Sequence, residues 1–314
     1  MAPEGSRLRR AQAHAGPPVL HRSARPSRRI KQAPPCHCDR TPASSGRFAK
    51  RTMKDSPLHP TSLASDARLA FKVLTVNVHK GFTSFNRRFM LHELREAVRQ
   101  VAADVVFLQE VLGTHQRHAS RVRNFPAQPH YEFLADSIWN QYAYGRNAVY
   151  DSGHHGNALL SKFPIVHFEN HDISVAGPER RGMLHCVLQP PQLATPVHAI
   201  CVHLGLQEAH RHHQLHRLAA LVRSLPEGDP IIVAGDFNDW RGRAHSLLLR
   251  EAGLREVFVH SFGRAVRTFP ATMPLLPLDR IYVRGVVVHA PVPLPRRPWS
   301  RLSDHAPLAA EIAL

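Results

Sequence analysis

The chain has 314 residues, of which 43% are hydrophobic, so it is long enough to enclose at least one full core. It contains no run of about 18 apolar residues, which excludes a membrane-spanning helix. The formal net charge is +17, but residues 1–52 carry +10 of it, so the rest of the chain is only mildly basic.

The N-terminal region is rich in Arg, Pro and Ser and has no apolar periodicity. We therefore expect a disordered basic tail over residues 1–65 and a folded domain over residues 66–314. The tail lacks the apolar region of a secretory signal. It suits an arm for nucleic acid or an anionic membrane, or an organelle-targeting peptide. We favour a third interpretation, in which translation begins at Met53, because "MKDSPLHP" resembles an ordinary cytoplasmic start.

The cysteines favour a reducing compartment. Cys36 and Cys38 form an isolated C-H-C, which offers too few ligands at too tight a spacing for a zinc site. Cys186 and Cys201 lie in apolar runs, where free thiols behave as small hydrophobic groups. We therefore expect a cytoplasmic protein.

Apolar segments that predict strands recur from about residue 70 to the end of the chain. Most are apolar at consecutive positions, which indicates strands covered on both faces. The segments are "FKVLTVNV", "DVVFLQE", "NALLSKFPI", "MLHCVLQ", "VHAICVHL", "PIIVAGD", "LDRIYV" and "PLAAEIAL".

Three helices are predicted between these strands. Apolar side chains recur at helical spacing over residues 86–102 and 208–225. A shorter helix over 243–252 should stop at Gly253. Many strands with a few helices outside them predict a layered α/β domain in which sheets pack face to face.

Polar or ionisable side chains stand at the ends of six of the predicted core segments. One such end is explained by a turn, but six such ends suggest a shared site, provided that they meet in space. The residues are Asn77, His79, Gln109, Glu110, His203, Asp236, Asn238, Asp279, Asp304 and His305.

These residue types suit the hydrolysis of a phosphate ester. Asn and Glu offer the hard oxygen ligands that Mg²⁺ prefers. Asp236 and Asn238, two apart on one extended stretch, should point to the same side and act on an attacking water. Asp279 could keep His305 protonated to meet the phosphate oxygens, and His203 could donate to the leaving oxygen.

The motifs N-x-H-x-G, L-Q-E, H-x-G-N-A-L-L-S, V-H-L, G-D-F-N, L-D-R-I-Y-V and S-D-H-x-P-L resemble those of the endonuclease/exonuclease/phosphatase superfamily. They follow in the same order over about residues 70–314, and "YGRNAVY", "GHHGNA" and "GDFNDWR" are similar to the bacterial YbhP-type group. The resemblance implies a DNase I-like fold, a four-layer α/β sandwich of two packed mixed β-sheets flanked by helices. It also implies a phosphoesterase that uses Mg²⁺, with Mn²⁺ as a substitute.

The family pattern assigns a role to each of these side chains. Glu110 would bind the metal, with Asn77 beside it and Asp304 near. The catalytic group would be Asp236 and Asn238 at the water, His305 paired with Asp279, and His203 on the leaving-group side. Abasic-site endonucleases of the superfamily carry N-x-D-G where this chain has His79, so a carboxylate is missing. That departure favours one metal over two and argues against an abasic-site enzyme.

The substrate is the least determined part of the prediction. Four candidate phosphate-binding residues, each of which also suits a structural role, are Asn157, His155, Arg146 and Arg181. The mildly basic domain favours nucleic acid, cleaved by an endonuclease or exonuclease. A phospholipid headgroup or a small phosphate ester is the alternative, and Phe82 and Phe85 could touch a bilayer. We expect a monomer.

Overall fold

The computed structural model describes residues 69–314, except for the side chains of Asn86 and Val288. The predicted tail and the choice of Met53 as a start lie outside the described residues. Within them, no helix is long and apolar enough to cross a membrane.

Residues 69–314 form twelve strands and seven α-helices. The strands are β1 (Ala70–Asn77), β2 (Val105–His115), β3 (Gln141–Tyr150), β4 (Gly153–Ser161), β5 (Ile165–Asp172), β6 (Gly182–Leu188), β7 (Val197–His203), β8 (Ile231–Asp236), β9 (Arg255–Glu256), β10 (Asp279–Arg284), β11 (Val288–Val292) and β12 (Leu308–Ala313). The helices are α1 (Leu91–Val101), α2 (Gln116–Arg121), α3 (His130–Ala135), α4 (Glu208–Ser224), α5 (Arg243–Ala252), α6 (Val257–Phe262) and α7 (Arg296–Trp299).

The strands make two mixed sheets of six. The first has the order β11-β12-β1-β2-β4-β3, and the second has the order β5-β6-β7-β8-β10-β9. One pair in each sheet is parallel, β1 with β2 and β7 with β8. The predicted two packed mixed sheets are therefore confirmed.

Three apolar cores hold the layers together, which explains why the strands are apolar at consecutive positions. Phe107 packs between the two sheets, whereas its neighbour Leu108 packs outward in a core that includes α1 and α3. In the second sheet, Cys201 faces the first sheet and Ile200 faces α4 and α5. Both faces of these strands are thus buried, as predicted.

Two of the three predicted helices are confirmed, and the third begins later than predicted. The patterns at 208–225 and 243–252 match α4 and α5, and α5 ends at Gly253 in a left-handed conformation with φ 66°. The helix predicted over 86–102 is wrong at its start, because α1 begins only at Leu91. The preceding residues fold back on themselves instead, and Phe82 and Phe89 form an antiparallel bridge.

The polar ends of the strands meet at one edge of the two sheets. We call this the site edge, defined by the ends of β1, β7 and β8 at Asn77, His203 and Asp236. β10 runs antiparallel to β8 and so begins at this edge with Asp279. One detail of the prediction is wrong. Glu110 does not end its strand, because β2 continues to His115 after a register shift.

Candidate active site

Three ionisable residues lie side by side across the second sheet at the site edge. In the strand register, Asp236 of β8 is opposite His203 of β7 on one side and Asp279 of β10 on the other. All three are buried. The sequence prediction that these residues converge is therefore confirmed, and their proximity follows from strand pairing.

Asp236 is the centre of this group. Its Oδ2 lies 3.2 Å from Asn77 Nδ2, which donates to it, and 3.5 Å from His203 Nε2. Burial raises the pKa of Asp236, and the negative charge of Asp279 raises it further, while His305 opposes both effects. A carboxyl whose pKa is raised from its usual range toward neutrality is suited to accept and release a proton.

His305 is held between two carboxylates. Its Nδ1 lies 2.9 Å from Asp279 Oδ2, and its Nε2 lies 3.9 Å from Asp236 Oδ2. Burial would lower the pKa of His305, but Asp279 and then Asp236 outweigh it and raise the pKa above its ordinary value. The ring is therefore an imidazolium at neutral pH, with Nε2–H available as a donor.

The same three side chains could be taken for a metal site. Asp236, Asp279 and His305 each place one ligand atom within 4.8 Å of the others. A protonated imidazole has no lone pair for a metal, however, and both of its nitrogens face carboxylates. We therefore interpret this trio as an ion cluster.

His203 has the opposite electrostatic character to His305. Burial lowers the pKa of His203 well below its ordinary value, and Arg181 lowers it further. His203 is thus a neutral ring that can donate from one nitrogen. The Phe269 ring lies 5.0 Å from the His305 ring, so the loop before β10 covers this part of the site.

The backbone places Asn238 differently from the sequence prediction. Asn238 is not on an extended stretch with Asp236, because it is left-handed with φ 49°. This turn lets the Asn238 N–H donate to Asp236 Oδ1 at 2.9 Å, while Nδ2 donates to Leu204 O at 2.9 Å. The two side chains are neighbours because of a tight turn and not because of strand periodicity.

Glu110 is the residue best suited to hold a metal. It sits at the bulge of β2 with φ 55°, between Leu108 and Val111. Its Oε2 is buried and has no aligned hydrogen-bond donor among residues 69–314, although Lys80 Nζ is 3.1 Å away. Burial would raise the pKa of Glu110, but the basic side chains around it, with the Lys80 ammonium in direct contact, outweigh burial and lower the pKa to about 2. An ionised, buried oxygen without an aligned donor fits a divalent cation.

Asn77, which is buried, and Asp304 both contact His79 of the loop that follows β1. Ser303 Oγ donates to the Asn77 carbonyl at 2.7 Å, which joins the last motif to the end of β1. His79 Nδ1 is 3.6 Å from Asp304 Oδ1, and the His79 N–H donates to Asn77 Oδ1 at 3.0 Å. The oxygens of Glu110, Asn77 and Asp304 are therefore all contacted by the loop that follows β1.

Backbone strain is concentrated at this site. Four residues other than glycine adopt left-handed conformations here, namely His79 (φ 43°), Lys80 (φ 55°), Glu110 (φ 55°) and Asn238 (φ 49°). Each such residue carries a conformational cost that the surrounding structure must offset, and these residues cluster at functional sites.

The four residues predicted to bind substrate fall into different places. His155 is partly buried close to Lys80 and Glu110, and burial followed by Lys80 lowers its pKa to about 4. Asn157 is fully buried and donates to Gly182 O and Cys201 O, so it joins the two sheets.

The two candidate arginines also lie in different places. Arg181 donates to Leu204 O and pairs with Glu179 at 2.7 Å, beside the site. Arg146 is exposed, and its charge acts on Tyr144 and His154. The described contacts do not bring Arg146 to the cluster around Asp236.

Sequence reasoning missed two residues of the site. Lys80 follows His79 in "NVHKG", and a loop lysine gave no reason to expect contact with a strand 30 residues later. Ser303 begins the S-D-H string, and its hydrogen bond to β1 depends on the pairing of β12 with β1. Both contacts are set by the fold.

Comparisons with known proteins agree with this geometry. The chain matches the Endonuclease/Exonuclease/phosphatase family over residues 74–305. It is 59% identical to Escherichia coli YbhP over 247 residues, which cover 79% of this chain and 98% of YbhP. It is 38% identical to a UPF0294 protein of Vibrio parahaemolyticus over 121 residues, 38% of each chain.

Solved structures show the same fold at low sequence identity. An endonuclease/exonuclease/phosphatase from Beutenbergia cavernae superposes with a TM-score of 0.58 at 17% identity, covering 78% of this chain and 72% of that one. A truncated TDP2 from Caenorhabditis elegans gives 0.56 at 17% identity, covering 78% and 98%. These proteins have the DNase I-like fold, as the resemblance implied. The chain belongs to the endonuclease/exonuclease/phosphatase family.

Proposed function

We propose that this protein is a divalent-metal-dependent hydrolase of phosphodiester bonds in which Asp236 activates water. Proteins of the family are hydrolases that act on phosphoester bonds. The observation that carries the proposal is the environment of Asp236, a buried carboxyl of raised pKa with Asn77, His203 and His305 around it.

Each side chain of the cluster has a role in the proposed hydrolysis. Asp236 takes a proton from the attacking water, and Asn238 helps to hold that water beside it. His305, kept protonated by Asp279, donates from Nε2 to a phosphoryl oxygen and offsets its negative charge. His203, as a neutral ring, donates a hydrogen bond that stabilises the charge on the leaving oxygen, which then takes its proton from solvent.

The metal would be held by oxygen ligands at the site edge. Glu110 is the main ligand, with Asn77 and Asp304 beside it, and this donor set favours Mg²⁺, with Mn²⁺ as a substitute. When bound, the ion would offset the charge that develops on the phosphoryl group.

Nucleic acid is the substrate class we favour. Four exposed arginines precede site residues along the chain, and within residues 69–314 none of them pairs with a carboxylate. Arg264 and Arg267 precede Asp279 of β10, and Arg297 and Arg301 precede Asp304. Exposed guanidinium groups in segments that lead into the catalytic cluster suit the repeated phosphates of a polymer.

A phospholipid headgroup or small phosphate ester is the second candidate, and a different observation supports it. Several loops at the site edge carry exposed apolar side chains, including Phe85 (83% exposed), Met273 (63%) and Leu206 (57%). Such side chains around the mouth of a site suit contact with a lipid surface.

A substrate panel separates the two candidates. We would measure Mg²⁺-dependent release by the full chain from single- and double-stranded DNA, RNA, phospholipid vesicles and bis-p-nitrophenyl phosphate. If nucleic acid is the substrate, its cleavage should fall steeply as salt is added. Each neutralised phosphate adds about 0.9 to the slope of the logarithm of the binding constant against the logarithm of the salt concentration. Release only from vesicles or the small diester would support the second candidate, and release from nothing in the panel would refute both.

A further inference from the structure

Lys80 occupies an unusual position for a surface lysine. Its Nζ lies 3.1 Å from Glu110 Oε2, while its side chain is 34% exposed. Glu110 is held on the bulge of β2, and Lys80 lies on the loop after β1, so the contact joins two segments of the first sheet at the site edge. The Lys80 ammonium therefore contacts the same Glu110 oxygen that would bind the metal in the proposed function.

The other acids of the site already have partners from the protein. Asp236 and Asp279 share His305, and Asp304 contacts His79. Within the described part of the chain, Lys80 is the cation paired with Glu110, and Glu110 is the carboxylate paired with Lys80. The contact is an ion pair at 3.1 Å without an aligned hydrogen bond.

We propose that Lys80 competes with the divalent metal for Glu110 and, once displaced, binds the phosphate of the substrate. The inference rests on the proposed function, since it concerns the same metal ligand. Without a metal, Lys80 offsets the charge of a carboxylate whose Oε2 is enclosed and which has no other cation paired with it among residues 69–314. With a metal on Glu110, the ammonium faces a like charge and must leave.

The structure limits where Lys80 can go. Its backbone is fixed, because His79, Lys80 and Gly81 adopt consecutive left-handed conformations and Met90 N–H donates to Gly81 O at 2.8 Å. Only the flexible stem can move, and a third of the side chain already faces solvent at the mouth. A phosphate beside the metal is the nearest anion that the reaction would supply. Metal binding would thereby prepare the site for an anionic substrate.

The test compares Lys80→Met with Lys162→Met in the full chain. Lys162 pairs with Asp104 at 3.0 Å, away from the site, and serves as the matched control. Isothermal titration with Mn²⁺ alone should give a dissociation constant roughly fivefold or more lower for Lys80→Met, because the competing charge is gone. At saturating Mn²⁺, its KM for bis-p-nitrophenyl phosphate should rise roughly tenfold, and Lys162→Met should match the wild type in both measurements.

Two outcomes would overturn the inference. An unchanged or weaker Mn²⁺ affinity in Lys80→Met would show that there is no competition. Tighter Mn²⁺ binding with an unchanged KM would refute the contact with phosphate. Glu110→Gln tests the proposed function separately, because an unchanged Mn²⁺ affinity in that variant would show that the metal is not held there at all.

Discussion

Asn238 shows how a single backbone conformation decides the geometry of the site. Its left-handed turn, with φ 49°, brings its N–H onto Asp236 Oδ1 and its amide onto Leu204 O. Asn tolerates this conformation better than most residues, because its short polar side chain can bond locally. The residue therefore has two separable roles, one in the backbone turn and one in its amide group.

Substitutions at Asn238 should separate these roles. Asn238→Gly and Asn238→Ala both lose the amide, but only alanine is disfavoured at positive φ, so Asn238→Ala should be less stable than Asn238→Gly by about 1 kcal/mol. Both should lose catalytic rate to a similar extent. Urea unfolding and steady-state kinetics measure these effects, and equal stability of the two variants would contradict the role of the turn.

At this scale, the sequence predicts residue types better than their geometry. Asp236, His203 and Asp279 could be singled out because each stands at the end of an apolar run. The left-handed turns at Asn238 and Glu110 could not be predicted, because both follow from packing that no local pattern records.

At the scale of elements, the loop after β1 is positioned by α3. His130 begins α3 and is 1% exposed, with its ring 5.9 Å from the Phe89 ring and 5.0 Å from the Phe125 ring. Within residues 69–314, neither of its ring nitrogens has a hydrogen-bond partner. Burial, and then the charge of His118, lowers the pKa of His130 to about 3. This histidine therefore stabilises the fold only while it is neutral.

The burial of neutral His130 should make the fold less stable in acid. The unfolded chain takes up a proton at this ring near pH 6.5, whereas the folded chain does so only near pH 3, so stability falls as pH drops through that window. Between pH 7 and pH 5, the free energy of unfolding should therefore fall by about 2 kcal/mol less in His130→Phe than in the wild type. Urea unfolding of both proteins at the two pH values is the measurement. An identical pH dependence would mean that His130 is not buried in its neutral form.

Elements with a strong apolar period were predictable, and short ones were not. α5 carries a clear apolar stripe, whereas α4 carries one only in its second half, from Leu215 to Val222, and the sequence predicts both within a residue of their ends. α3, with six residues, is too short for its period to be seen, and the start of α1 depends on the bridge between Phe82 and Phe89. Long-range pairing decides such segments.

At the scale of the whole molecule, the site exists because two sheets present their polar ends at one edge. Buried polar groups support that alignment, since Gln109 donates to Cys201 Sγ and Asn157 donates to Cys201 O. Both cysteines of the domain are free and buried, as predicted for Cys186 and Cys201. The sequence motifs were sufficient to predict the two-sheet fold by resemblance, whereas the closeness of Glu110 and Lys80 required the assembled sheets.

The roles of Asp236 and of a divalent metal are best tested by the rate of phosphodiester hydrolysis by wild-type protein, Asp236→Asn and Asp229→Asn, before and after chelation. Asp229 is the matched control, since it is a buried carboxylate that contacts His198 at 3.1 Å and precedes the opposite end of β8. We predict that chelation stops hydrolysis, that Mg²⁺ restores it, and that Asp236→Asn loses about 10²–10⁴-fold in kcat while Asp229→Asn keeps its rate. Hydrolysis that survives chelation would contradict the need for a metal. An Asp236→Asn rate close to that of the wild type would contradict the role of Asp236 as the base.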